Sequence, residues 1–210
     1  KLDLASITEY LDGLVPARLP QLKAMEAYAV ETDFPIVGPS SGQFCYLLAR
    51  LMGARQVFEM GSGYGYSTAW FARAVVENGG GVVHHVVWDD TLSAKARGYL
   101  KSAGFEGVVQ FTVSEAVQAL RAEAGPFDLI FNDIDKAAYP DSLPVIREKL
   151  RPGGLLIVDN MIWSGRIFEP SDNSAATEGV RQLTQLLTRD PGWITNIIPV
   201  RDGLVVAMKV

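Results

Sequence analysis

The sequence predicts an α/β fold: a doubly wound, mostly parallel sheet of seven strands that ends in an antiparallel C-terminal hairpin. Three features carry that expectation. From Val57 to Val158, short apolar runs alternate with segments of helical periodicity, the βαβ rhythm of a parallel sheet. The first of those runs breaks into Gly61, Gly63 and Gly65 and then reads as a helix, the layout of a ligand loop at a helix N-terminus. The last two apolar runs are separated by little more than Arg201-Asp202-Gly203, which reads as a hairpin turn.

At 210 residues the chain fits one domain, 1–210, large enough to bury a core. A net charge of -5 without a basic run argues against nucleic-acid binding. The lone Cys45 excludes an internal disulfide and every multi-cysteine metal site. No apolar stretch is long enough to span a bilayer and no secretory leader is visible, so the expectation is a cytoplasmic protein away from membranes.

In chain order, Leu4 to Leu14 and Leu19 to Val30 have mixed three- and four-residue apolar spacings and read as amphipathic helices punctuated by Pro16 and Pro20. Leu22, Met25 and Tyr28 face a core, a partner subunit or a substrate. Residues 34–39 read as a loop and Gly42 to Met52 as a third helix. Val57 to Met60 is the first strand, and Ser67 to Val75 the helix after the glycines. Strands follow at Val82 to Trp88, Val108 to Val113, Leu129 to Asn132 and Leu155 to Val158. Helices lie between them at Leu92 to Ala103, Ala116 to Ala122 and Pro144 to Leu150. A polar loop, a helix from Thr177 to Thr188 and the strands Ile194 to Pro199 and Leu204 to Val210 complete the chain.

The glycine loop runs Gly-x-Gly-x-Gly, with Glu59 two residues before the first glycine. A dinucleotide fingerprint runs Gly-x-Gly-x-x-Gly, and an acid at that place repels a pyrophosphate but welcomes a cation. An ammonium beside a sulfonium fits, which points to S-adenosylmethionine and argues against a nicotinamide-dependent dehydrogenase. Other polar residues fall at the carboxyl ends of the strands, where open α/β sheets bind ligands: Asp89 and Asp90, Asp133, Asp159 and Asn160. Any single one is readable as a helix cap. Asp133, Asp159 and Asn160 together offer oxygen ligands without sulfur or imidazole, a set suited to magnesium. Lys136, by position alone, is a solvated lysine at a helix start. His84 and His85 are neighbours in a strand, point to opposite faces and read as structural.

Phe131-Asn132-Asp133-Ile134-Asp135-Lys136 resembles the Phe-x-Asp-x-Asp-Lys motif of the cation-dependent O-methyltransferases, the family of the caffeoyl-CoA and catechol enzymes. Gly153 to Gly165, through Asp159-Asn160 and Trp163, is similar to that family's second signature, and Glu59 to Ser67 to its cofactor loop. Val37-Gly38 through Phe44 and Thr177 to Arg181 match as well. The resemblance implies a class I, Rossmann-like methyltransferase fold. It implies that Asp133, Asp159 and Asn160 hold the metal, and that Lys136 is the general base. Val37, Glu59, Gly61, Gly63, Gly65, Ser67 and Ala116 would line the S-adenosylmethionine site, with Asp133 touching cofactor and metal. Trp163 reads as a flat wall for an aromatic acceptor, or as core packing.

Two positions depart from the family. Val87 stands where the family carries an acid for the ribose hydroxyls; Asp89 is the nearest acid on that face and reaches the site only through a bulge or shifted strand end. Asn132 stands where an apolar strand residue is usual. The implied reaction is methylation of one hydroxyl of a vicinal aromatic diol; a non-catalytic S-adenosylmethionine binder is the other reading. The family and the apolar N-terminal helices, 4–31, imply that these helices cover the site or form a homodimer interface.

Overall fold

A computed structural model describes residues 4–210; residues 1–3 of the expected unit 1–210 lie outside the described residues. Seven strands form one sheet: β1 (Gln56–Met60), β2 (Val82–Val87), β3 (Val109–Val113), β4 (Phe127–Asn132), β5 (Leu150–Val158), β6 (Trp193–Ile198) and β7 (Leu204–Lys209). Their order is β3-β2-β1-β4-β5-β7-β6. The first five run parallel, and β7 lies antiparallel between β5 and β6. The doubly wound sheet with its C-terminal hairpin is therefore present as the sequence predicts. The chain winds outward from β1 to β3, returns to β4 and winds the other way. That reversal opens a crevice beyond the carboxyl ends of β1 and β4.

Helices cover both faces. On one lie α2 (Pro20–Thr32), α3 (Gly38–Leu51), α4 (Tyr66–Glu77) and α5 (Asp90–Ser102), packed through Leu22, Met25, Cys45, Trp70, Phe71 and Leu100. On the other lie α6 (Ala116–Ala122), α7 (Tyr139–Lys149) and α8 (Ala175–Arg189), packed through Leu120, Tyr139, Ile146 and Leu183. The strand pleat divides β1 between them: Val57 joins the first core, Phe58 and Met60 the second. Burial on both faces explains why the parallel strands read as continuous apolar runs.

The boundaries differ where prolines stand. The third helix begins at Gly38, not Gly42, because Pro39 occupies its first turn, where a missing N–H costs nothing. Likewise α7 starts at Tyr139 and carries Pro144 inside it rather than at its start. The Arg151-Pro152-Gly153-Gly154 turn is an irregularity within β5, at a register shift against Phe127 and Leu129.

The N-terminal helices are tied to the crevice. Tyr64 and Tyr66, in and just after the glycine turn, donate hydroxyl hydrogen bonds to the Met25 carbonyl and to Glu26 Oε1, both at 2.8 Å. Leu22 and Met25 are wholly buried, so of their open roles they take the core; Tyr28 meets Tyr64 edge to face, ring centroids 5.2 Å apart. The preceding helix, α1 (Leu4–Leu14), is anchored by Asp12, which accepts from Ser40 N and from Arg201. The two histidines do face opposite ways. His84 stacks on Phe58, and His85 shares a 3.0 Å hydrogen bond with Thr68; burial lowers the pKa of both, that of His85 to about 3. Among the described residues no helix is long and apolar enough to cross a membrane.

Candidate active site

A cavity of about 880 Å³ fills the crevice between the two halves of the sheet. The glycine turn (61–64), the end of β2 (Val86 to Trp88) and the approach to α6 (Ser114 to Ala116) line one end. The segments after β4 (Asp133 to Lys136) and β5 (Asp159, Asn160) line the other, with Trp163 at its rim and Phe34 to Ile36 over the turn.

Gly61 lies at φ +86°, and a Cβ there would stand 2.3 Å from the Asp133 carbonyl oxygen. Only glycine allows that approach, so the turn after β1 and the acid after β4 are locked together; Asp133 N also donates to the Met60 carbonyl at 2.9 Å. Ser62 fixes the turn to β2 by donating its N–H to the Val86 carbonyl and accepting from Val86 N at its hydroxyl.

Glu59 is wholly buried beneath this turn, and neither of its carboxylate oxygens has a hydrogen-bond partner. Burial pushes its pKa from 4.5 up to about 7, against the opposing pull of the nearby Ser67 and Thr68 hydroxyls. A folded-state pKa raised in this way favours the fold below the unfolded value and disfavours it as pH rises toward 7. Glu59→Gln is therefore expected to stabilise the ligand-free protein at about pH 8 by on the order of 1–3 kcal/mol, since each pKa unit is worth about 1.4 kcal/mol. The gain should vanish below about pH 4.5. Thermal melts across that range check it; equal stabilities at about pH 8 would contradict it.

At the other end two acids converge. Burial raises the pKa of both Asp133 and Asp159; the Asp133 charge raises Asp159 further, and Asp202 adds to the effect on both. Lys136 Nζ stands 2.8 Å from Asp133 Oδ1 and holds that carboxyl back. Its side chain is largely buried, between the rings of Tyr139 and Trp163 at 5.5 and 5.7 Å. Two contacts hold this corner rigid. A Cβ on Gly179 would fall 2.0 Å from the Lys136 carbonyl, so α8 packs by bare backbone against the lysine's own turn. Tyr139 donates from its hydroxyl to the Asp159 carbonyl at 2.9 Å. Asn132 is explained here as well: buried, it donates to the Ser142 hydroxyl at 3.0 Å and ties β4 to α7.

Asn160 lies at φ +60° and donates its amide N–H to Asp202 Oδ2 at 3.1 Å. Trp163 donates from its indole to Thr177 Oγ1 at 3.1 Å, which sets the ring at the cavity mouth. Among the described residues no group of three or more His, Cys, Asp or Glu is placed to hold a metal.

Of the residues expected from sequence, Gly61, Gly63, Ala116, Asp133, Lys136, Asp159, Asn160 and Trp163 line the cavity together. Val37, Glu59, Gly65 and Ser67 are not among the residues that line it. Asp89 does not reach it: its carboxylate accepts from Leu92 N at 2.8 Å and caps α5, while Val87 and Trp88 line the wall. Sequence reasoning missed Trp88, Ser114, Phe34 and Asp202. The last lies in a hairpin turn, where an aspartate signals only the turn.

The model of a family described as O-methyltransferase matches residues 16–210. A catechol O-methyltransferase from Niastella koreensis is 31% identical over 97% of this chain and 96% of its own length. One of the same name from Mycobacterium tuberculosis is 32% identical over 89% of this chain and 84% of its own. Among solved structures, the O-methyltransferase TomG from Streptomyces achromogenes, in complex with SAM, superposes with a TM-score of 0.87 at 27% identity over 100% of both chains. An O-methyltransferase from Bacillus cereus in complex with SAH gives 0.87 at 25% identity over 98% of this chain and 97% of its own. With its glycine turn, paired acids and lysine in one crevice, the chain belongs to the O-methyltransferase family, S-adenosylmethionine-dependent enzymes of the caffeoyl-CoA and catechol type.

Proposed function

We propose that this enzyme methylates one hydroxyl of a vicinal aromatic diol, with a divalent cation such as magnesium held by Asp133, Asp159 and Asn160 and with Lys136 as general base. The observation that carries the reading is the pair of buried acids, Asp133 and Asp159, both raised by burial and Asp159 also by the Asp133 charge, with Asn160 lining the same cavity. Buried like charges of this kind call for a cation, and a set made only of oxygen donors suits a hard one. The names of the catechol O-methyltransferase relatives favour the same acceptor class.

When bound, the cation would hold both acceptor oxygens and acidify one hydroxyl, and S-adenosylmethionine would supply the methyl group. The chain's own residues do the rest. Trp163 presents a ring face to the acceptor at the cavity mouth. Lys136 Nζ, fixed by Asp133 and two aromatic rings, takes the phenolic proton. The acceptor oxygen would gain the methyl group, with the bound sulfonium leaving as a neutral thioether. Charge is thereby neutralised in the transition state, an effect strengthened in a largely apolar crevice. Glu59, beneath the glycine turn, would gain the partner it lacks from the cofactor's ammonium.

In this reading residues 1–210 act as one domain and pair as a homodimer. Leu4, Leu14, Leu47 and Leu51 on α1 and α3 are 46–75% exposed, an apolar face that a second copy would cover. Sedimentation is expected to give a dimer; a monomer at every working concentration would contradict that part.

Calorimetry with S-adenosylhomocysteine and NAD tests the cofactor assignment. Heat is expected with the first and none with the second. The reverse result would overturn it.

A further inference from the structure

We propose that Asp202 is a positioning residue for the cation site: it fixes the Asn160 amide so that its oxygen, not its nitrogen, is the atom offered to the metal. This inference rests on the metal reading above and adds a residue to it.

An asparagine amide has two nearly isosteric ends, one donating and one accepting, and its neighbours decide which way it turns. A carboxylate accepts only. Asp202 Oδ2 lies 3.1 Å from the Asn160 amide nitrogen, so the NH₂ must face Asp202 and the carbonyl oxygen must face away. With the amide reversed, an oxygen would confront a carboxylate oxygen and a nitrogen would confront the cation, both repulsive. One carboxylate thus sets the sign of the ligand atom.

The same carboxylate holds the loop that carries the acceptor wall. Asp202 Oδ1 accepts from Ser164 N at 2.5 Å, and the Asp202 carbonyl accepts from Ile162 N at 2.8 Å. The Gly203 carbonyl accepts from Met161 N at 3.0 Å. Residues 160–164 are therefore laid down along the hairpin turn between β6 and β7. A Cβ on Gly203 would stand 2.9 Å from Ile162 N, so that close approach depends on the glycine. The turn is itself anchored, because Arg201 donates to Asp12 of α1 at 3.1 Å. Asp202 does not line the cavity, which separates its role from that of a ligand.

Manganese affinity, read by titration calorimetry, tests the idea without reference to turnover. In Asp202→Asn the residue beside Asn160 can donate as well as accept, and the amide is free to reverse. Manganese affinity is expected to fall 10- to 100-fold, the usual effect of losing a residue that orients a metal ligand, while S-adenosylhomocysteine affinity and melting temperature stay near those of the parent. Removing a nearby negative charge would weaken a cation too, so the decisive arm is a double-mutant cycle. In an Asn160→Ala background, Asp202→Asn should cost no further manganese affinity. A loss of equal size in both backgrounds, or none in the first, overturns the proposal. Asp202→Ser, whose smaller hydroxyl likewise donates as well as accepts, serves if the asparagine variant melts early. A parent that binds S-adenosylhomocysteine but no manganese refutes the metal reading and the proposal with it. A parent that binds manganese equally with and without Asp202 refutes the proposal alone.

Discussion

Lys136→Ala is expected to lower the turnover of methyl transfer by roughly 10²–10⁴-fold, the usual scale of general-base catalysis, with little change in S-adenosylhomocysteine affinity. The lysine is held 2.8 Å from Asp133 and between two rings, so its position owes little to any ligand. Lys136→Arg separates charge from basicity. The guanidinium keeps the positive charge beside Asp133 but does not give up its proton in proteins, so this variant should stay as slow as the alanine one. Raising the pH should partly restore Lys136→Ala, because the acceptor then ionises without help. Wild-type turnover in either variant would remove Lys136 from the mechanism.

Asp159→Asn should act in two opposite directions. Turnover and manganese affinity should fall by at least about 10²-fold, because a ligating carboxylate becomes a neutral amide. The ligand-free protein should become more stable at neutral pH. Burial and Asp133 raise the folded-state pKa of Asp159, so its carboxyl favours the fold below its unfolded value and disfavours it increasingly above. The asparagine removes that penalty, and the gain should disappear in acid. Parallel melts and metal titrations check both arms. A variant that is destabilised at neutral pH and still binds metal would contradict the account.

The sheet was legible because parallel strands buried on both faces must be apolar along their length, and βαβ spacing leaves few alternatives. Helix starts were less so: Pro39 and Pro144 stand inside helices at places where proline was read as a loop or a beginning. That Gly61, Asp133, Lys136, Asp159 and Asn160 meet in one crevice was legible from strand ends and motif. Asp89 was not separable from a cap, since a free acid and a capping acid share the same sequence signature; in the fold it accepts from Leu92 N and caps α5. Glu59 is a different case. The sequence places it beside the glycine turn, but only the fold shows a carboxylate with no partner and a raised pKa. Asp202 was hidden because its partners Asn160 and Ser164 lie some forty residues away in the chain.

The most direct test of the central claim is methyl transfer from S-adenosylmethionine to a vicinal aromatic diol, measured in excess chelator and again after magnesium is restored. The account predicts turnover only with the cation, lost in chelator and recovered on its return. Full turnover in chelator would contradict it.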